Sequence, residues 1–200
     1  LRHGSGERIA AGTVFLEGEG PAGGIHLAWK VAQTLAEYAS GIATRTRRIV
    51  EAAQAVAPGV AVACTRKNFP GTKEISVKAV LAGGAQMHRL GLSETLLVFP
   101  EHRVFLDGAP DFHGLKRRHP ERKLVVEVAS VADAVAAAEA GADVLQLEKL
   151  APDAVAEAVR RMAGLDPVPL VAAAGGITEA NAAAYAATGC ARSEERRVGK

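Results

Sequence analysis

The spacing of apolar positions changes several times along the chain, and each change marks an element. Over 25–39, Ile25, Ala28, Trp29, Ala32, Leu35 and Ala36 recur at i, i+3, i+4 intervals, which predicts a helix. Ser40-Gly41 interrupts that spacing, so a second helix is expected over 42–56, ended by Pro58-Gly59. Short apolar runs then alternate with helical spacing. Strands are predicted over 60–64, 95–99, 123–128, 144–147 and 169–174. Helices are predicted over 74–82, 131–140, 152–163 and 178–188, with a shorter one over 112–118 inside a polar connection. Ser130 is a plausible N-cap, and Pro152 suits a first helical turn. Ahead of all this, residues 12–17 read as an isolated strand within a Gly-rich start.

Strands alternating with helices pair in parallel through right-handed crossovers. The strands recur roughly every 20–30 residues, which fits a (β/α) barrel. A doubly wound sheet is the rival, but no Gly-rich dinucleotide fingerprint follows the first strand. The expected organisation is a remnant of an N-terminal α/β domain over 1–24, helices leading into the barrel over 25–57, and an α/β barrel over 58–191. The start, Leu1-Arg2-His3-Gly4, carries neither an initiator Met nor a signal-peptide pattern, so a natural beginning is expected to be missing. After Gly189-Cys190-Ala191 the rhythm calls for a strand, yet 192–200 offers no apolar one. Those nine residues look like translated sequencing-adapter sequence. The expectation is a barrel truncated near Ala191 with a non-native tail; a native charged tail is the other reading.

Composition narrows the function classes. Of 200 residues, 48% are hydrophobic and 23% charged, the balance of a globular chain. A formal charge of +2 argues against nucleic-acid binding by bulk charge. No apolar run approaches the ~20 residues of a membrane span. Cys64 and Cys190 lack the paired spacing of a disulfide framework or zinc site, which makes a cytoplasmic setting the expectation.

Chemistry in a barrel sits at the carboxyl ends of the strands. The first end gives Thr65-Arg66-Lys67 and the second Phe99-Pro100-Glu101-His102. Glu127 interrupts the third strand, Glu148-Lys149 ends the fourth, and Gly175-Gly176 follows the fifth. His88-Arg89 falls in the segment leading to the 95–99 strand. Clustered cations near turns suit an anionic small molecule, or else a solvated surface. A carboxylate at Glu127 needs a cation, a metal or donors, so it is a site residue or one half of a salt bridge. Glu148 is a site residue or a helix N-cap. The Gly175-Gly176 turn can cradle phosphate with backbone N–H groups. Together these fit transfer of a phosphorylated sugar, with Mg²⁺ or ribose hydroxyls at the carboxylates. Arg45, Arg47, Arg48, Lys73, Lys78 and the 116–118 basic run read as solvated surface, and His3, His26, His113 and His119 receive no role.

Taken in order, Ser40-Gly41-Ile42-Ala43-Thr44, Thr65-Arg66-Lys67 with Pro70-Gly71, Gly83-Gly84, His88-Arg89-Leu90-Gly91-Leu92, Glu127-Val128, Leu147-Glu148 and Ala174-Gly175-Gly176 resemble the quinolinate phosphoribosyltransferases, or nicotinate-nucleotide pyrophosphorylases. Trp29-Lys30-Val31-Ala32, the 65–73 run and Leu97-Val98-Phe99-Pro100-Glu101-His102 resemble a branch of that family encoded with molybdate-transport genes. The likeness runs from about Gly6 to Ala191.

The resemblance implies an open α/β barrel, an N-terminal α/β sandwich domain mostly missing here, and phosphoribosyl pyrophosphate as co-substrate with Mg²⁺. It implies a homodimer whose site takes a basic side chain, here Lys30, from the other subunit. It places Arg66, His88 and Arg89 on the acid substrate's carboxylates and Lys67 in the site. Glu127 and Glu148 fall by the ribose and metal, and Gly175-Gly176 by phosphate. This chain departs from the pyridine-dicarboxylate pattern at Phe99, where a Lys is usual, and at Pro100-Glu101, where Asp-Asn is usual. Glu148 replaces an Asp, and Ala129 an acid. The resemblance therefore implies a phosphoribosyltransferase with an altered organic-acid acceptor. A non-catalytic binder of a metabolite or oxyanion is the alternative, and a barrel aldolase using Lys67 as Schiff-base nucleophile is a third reading.

Overall fold

A computed structural model describes residues 1–108 and 110–195. Among these described residues, seven parallel strands form one sheet: β1 (Ala61–Cys64), β2 (Gln86–Met87), β3 (Leu96–Val98), β4 (Leu124–Val128), β5 (Val144–Glu148), β6 (Leu170–Ala174) and β7 (Arg192–Glu195). Their order is β2-β1-β7-β6-β5-β4-β3. Each strand neighbours its sequence neighbour, and β7 returns beside β1, as in a barrel. Only the β2–β3 junction breaks this cyclic order, so the α/β barrel is open there. A doubly wound sheet would instead reverse direction about its first strand.

The strands divide their side chains between two faces by the two-residue period. Val62, Leu124, Val126, Leu145, Leu147, Val171 and Ala173 join the main core under the helices. On the other face Val125, Val144 and Ala172, with Leu97, form a separate apolar plug inside the barrel. By the same alternation, Glu127, Gln146 and Glu148 belong to the interior face, beyond the plug toward the carboxyl ends.

The helices are α1 (Ala22–Gln54), α2 (Lys73–Ala82), α3 (Phe112–Arg118), α4 (Val131–Glu139), α5 (Pro152–Met162) and α6 (Ala182–Ala186). The two helices expected over 25–56 are one, since α1 passes through Ser40-Gly41 without a break. Ile42, Thr46, Ile49, Val50 and Ala53 form its buried stripe, and docking of that stripe outweighs the weak local propensity of Ser-Gly. Gly83 lets α2 approach closely: a Cβ there would lie 2.5 Å from Thr46 Cβ. Residues 22–35 of α1, by contrast, are exposed throughout except for half-buried Ala32.

Other expectations change for identifiable reasons. Residues 12–17 are not a strand; the contact there is Arg2 N–H donating to Phe15 C=O at 2.9 Å. The last helix shrinks to Ala182–Ala186 because Asn181 Oδ1 accepts from Thr178 N–H at 2.6 Å and its Nδ2 donates to Gly176 C=O at 3.0 Å, holding 176–181 as a turn. A strand does form at Arg192–Glu195, against the expectation of none, because β1 and β6 offer it a ladder on both sides. Residues 196–200 of the expected tail lie outside the described residues. Three basic groups read as solvated make structural bonds, one of them Lys73, whose Nζ donates to Leu90 C=O at 3.0 Å. Arg47 donates from Nε to Gly83 C=O at 3.1 Å and from a terminal nitrogen to Ala82 C=O at 3.0 Å, closing the carboxyl end of α2. Lys116 pairs with Asp143 at 2.8 Å, and Asp143 accepts Leu124 N–H at 2.7 Å. Ser130 caps α4 as expected, its Oγ accepting from Asp133 N–H at 3.0 Å. Cys64 and Cys190 are buried thiols. No helix among the described residues is long and apolar enough to cross a membrane.

Candidate active site

The rim at the carboxyl ends of the strands collects the predicted residues in two groups. Arg66 and Lys67 follow β1, with Arg66 half-buried and Lys67 exposed. His88 and Arg89 directly follow β2, so they stand on the rim itself rather than on an approach to the next strand. The sequence pattern missed this because β2 is two residues long. His88 N–H donates to Cys64 C=O at 2.9 Å and extends the ladder by one step, which locks His88 beside the end of β1. The loop beyond is tied down at Leu90: its N–H donates to Glu94 Oε2 at 2.7 Å, and its C=O accepts from Lys73 Nζ at 3.0 Å.

Partial burial lowers the affinity of Arg89 for its proton, and the nearby Arg66 guanidinium lowers it further, against an opposing effect of Glu94. Two guanidiniums that repel each other at a half-buried rim form a site that an anion relieves.

The second group is on β4, β5 and β6. Glu127 is opposite Gln146 in the ladder, and Gln146 Nε2 donates to Glu127 Oε2 at 2.7 Å. Gln146 was not singled out in the sequence, although it shares a face with Glu148 by the two-residue period. Glu148, with its side chain 25% exposed, lies 3.7 Å from Lys149 Nζ. Lys149 adopts φ 58, and its N–H donates to Ala174 C=O at 2.7 Å, joining the ends of β5 and β6. Gly175 and Gly176 take φ of 80 and 79, backbone that side chains rarely adopt. A Cβ on Gly175 would fall 2.8 Å from Glu148 Oε1. The Gly-Gly turn and the Glu148 carboxylate are therefore in contact.

Two predicted features stand apart. Lys30 is on the exposed half of α1, its ammonium 4.1 Å from the Trp29 ring centre and donating to Gln33 Oε1 at 3.1 Å. Phe99 leaves β3 toward a 3₁₀ turn at Pro100–Arg103 and packs on the His102 ring with centres 5.1 Å apart. His102 Nδ1 accepts from Phe99 N–H at 3.1 Å. Among the described residues no group of three or more His, Cys, Asp or Glu forms a ready-made metal centre.

The rim can hold an anion on the β1–β2 side and hydroxyls or a hard cation on the β4–β6 side. Comparison with known proteins places the whole chain. A sequence model of the quinolinate phosphoribosyl transferase C-terminal domain matches residues 42–193. The ModD protein of Rhodobacter capsulatus, named as a pyrophosphorylase, is 52% identical over 184 residues, covering 90% of this chain and 70% of that protein. A protein of Archaeoglobus fulgidus, named as a carboxylating nicotinate-nucleotide pyrophosphorylase, is 38% identical over 91% of this chain and 71% of its own length. Among solved structures, NadC from Streptococcus pyogenes aligns with a TM-score of 0.85 at 25% identity, over 96% of this chain and 67% of that one. The chain thus spans about two thirds of the length of these relatives. With that domain matched over residues 42–193 and relatives 52% and 38% identical over 90% and 91% of the chain, the chain belongs to the quinolinate phosphoribosyltransferase family.

Proposed function

We propose that this barrel moves a phosphoribosyl group from phosphoribosyl pyrophosphate to an organic-acid acceptor. The observation that carries the reading is the division of the rim: Arg66, His88 and Arg89 at the ends of β1 and β2, against Glu127, Glu148 and the Gly175-Gly176 turn on β4–β6. In this reading the cations, with Lys67, hold the acceptor's carboxylate oxygens. The backbone N–H groups of Gly175 and Gly176 bind phosphate. The bond from ribose C1 to pyrophosphate breaks as the acceptor bonds to C1, and pyrophosphate leaves with the bonding pair. Positive charge builds on the ribose, and Glu127 and Glu148 stabilise it.

The two carboxylates are hard oxygen donors that fit Mg²⁺, which commonly takes one or two protein carboxylates together with substrate phosphate oxygens. When bound, the ion would neutralise charge on the pyrophosphate. The same proposal includes a homodimer. The exposed first half of α1 carries Leu27 at 81%, Val31 at 61% and Leu35 at 49% exposure at four-residue spacing. A second copy covering that stripe would carry Lys30 toward its neighbour's rim.

The test is to incubate the purified protein with phosphoribosyl pyrophosphate, Mg²⁺ and a panel of aromatic acids including quinolinate, and to follow pyrophosphate. Acceptor-dependent release is expected. Absence of both release and sugar-phosphate binding would sink the reading. Binding without release would favour a non-catalytic metabolite- or oxyanion-binding relative.

A further inference from the structure

Gln146 occupies the middle of β5 and is 6% exposed. In the ladder it is flanked by Glu127 on β4 and by Ala172 on β6. Its strand neighbours Leu145 and Leu147 are fully buried in the main core, so alternation turns Gln146 to the barrel interior with Glu127 and Glu148. Polar side chains are rare at such depth unless their hydrogen bonds are made.

One end of the amide is accounted for, since Nε2 donates to Glu127 Oε2 at 2.7 Å. That bond also fixes which way the amide faces. Turned over, Oε1 would meet a carboxylate oxygen, and two acceptors would repel. Oε1 is therefore committed to the other direction, where it is buried and accepts no hydrogen bond from any described residue. The adjacent Ala172 has no donor in its side chain, and Val125 and Val144 close the interior with apolar surface. What Oε1 lacks is a donor, and its neighbour Glu127 is an acceptor too. A ligand group suited to this pair brings hydroxyls.

We propose that Gln146 is a sugar-binding residue of the rim site, its Nε2 orienting Glu127 and its Oε1 accepting a hydrogen bond from a ligand hydroxyl. This rests on the phosphoribosyl reading above. It adds a specific residue at a position that neither composition nor motif marked. It also assigns Glu127 a set orientation, because the carboxylate is held from the side by the same amide that faces the sugar.

The experiment compares ribose 5-phosphate with inorganic phosphate by calorimetric titration, with EDTA present and no Mg²⁺, for the native protein and Gln146→Met. The native protein is expected to bind ribose 5-phosphate more tightly than phosphate. Gln146→Met should weaken ribose 5-phosphate about tenfold, the scale of one buried hydrogen bond, and leave phosphate unchanged. Equal loss for both ligands, or no loss for either, overturns the proposal. So does a loss that appears only when Mg²⁺ is restored, because Oε1 would then serve a cation. If the native protein binds neither ligand, the phosphoribosyl reading itself fails and takes this inference with it. Thermal unfolding of the variant checks the fold. Should Gln146→Met not fold, Gln146→Asn keeps the amide but withdraws it by one methylene, and the same selective loss is expected.

Discussion

Gly175→Ala separates two effects that usually travel together, backbone strain and a displaced side chain. Gly175 and Gly176 hold nearly the same φ, 80 and 79, so an alanine at either meets the same left-handed backbone cost of about 1–2 kcal/mol. Their surroundings differ. A Cβ on Gly176 meets no atom within 4 Å, whereas one on Gly175 falls 2.8 Å from both Glu148 Oε1 and Lys149 Cγ. Both of those atoms belong to side chains that can swing, and the Lys149 side chain is 73% exposed. The clash is therefore relieved by movement at little energetic cost. The two variants should lose similar stability, a melting-temperature drop of roughly 2–8 °C at about 2–4 °C per kcal/mol for a chain of this size.

The difference should appear in ligand binding, because only Gly175→Ala moves the Glu148 carboxylate. Losing one charged ligand contact is worth about 1.5–3 kcal/mol, or roughly 10–100-fold in affinity. Affinity for phosphoribosyl pyrophosphate with Mg²⁺ should fall by that factor in Gly175→Ala and in Glu148→Ala alike. The double variant should be no weaker than Glu148→Ala alone, since the second change has nothing left to displace. Additive losses in the double variant, or a Gly175→Ala protein several kcal/mol less stable than Gly176→Ala, would refute the reasoning.

Four further outcomes are expected. Arg66→Ala and Arg89→Ala should each weaken binding of an aromatic dicarboxylate about tenfold or more while changing sugar-phosphate affinity little, and equal effects on both ligands would count against the division of the rim. Asp143 has its proton affinity raised by burial, but the Leu124 N–H and the Lys116 ammonium outweigh this and hold its carboxyl below the ordinary range. Its stabilisation is thus present above about pH 4, the unfolded value, and is lost as pH falls through the lowered folded value. Urea unfolding should show Asp143→Asn about 1–2 kcal/mol less stable at pH 7, with the gap closing in acid. Arg47→Ala should lower the urea midpoint by the equivalent of about 1–2 kcal/mol through two lost carbonyl bonds, with Arg47→Lys recovering part of it. Light scattering of a Leu27→Asp, Val31→Asp variant should give half the native mass, and an unchanged mass would remove the dimer proposal.

Much of the barrel was legible because its signals are local. The β4–α4–β5–α5 stretch follows from apolar runs, the Ser130 cap and Pro152 at a first turn, and each of these acts within a few residues. What was misread depends on distant partners. Ser40-Gly41 stays helical only because Thr46 and Ile49 dock on other elements. Arg47 reads as surface until α2 arrives to present its carbonyls. β7 exists through its two neighbours rather than through its own apolarity. In the site, residue types alone pointed to Arg66, Glu127 and Glu148. The contact of Gly175 with Glu148 and the bond from Gln146 to Glu127 required strand register, which no spacing rule supplies.

The break in the sheet between β2 and β3 falls in a telling place. His88 and Arg89 stand at the end of β2 and Arg66 and Lys67 one strand in, at the end of β1, while Phe99 follows β3, so the cationic group of the candidate site borders the seam. Those edge strands are two and three residues long, and each has a single ladder partner. The carboxylate half rests on β4 and β5, which are laddered on both sides. Substitutions on these edge strands touch one ladder each and leave the interior ladder that carries Glu127 and Glu148 in place. The molecule thus has a conservative wall and an adaptable one, and Phe99 stands on the adaptable side.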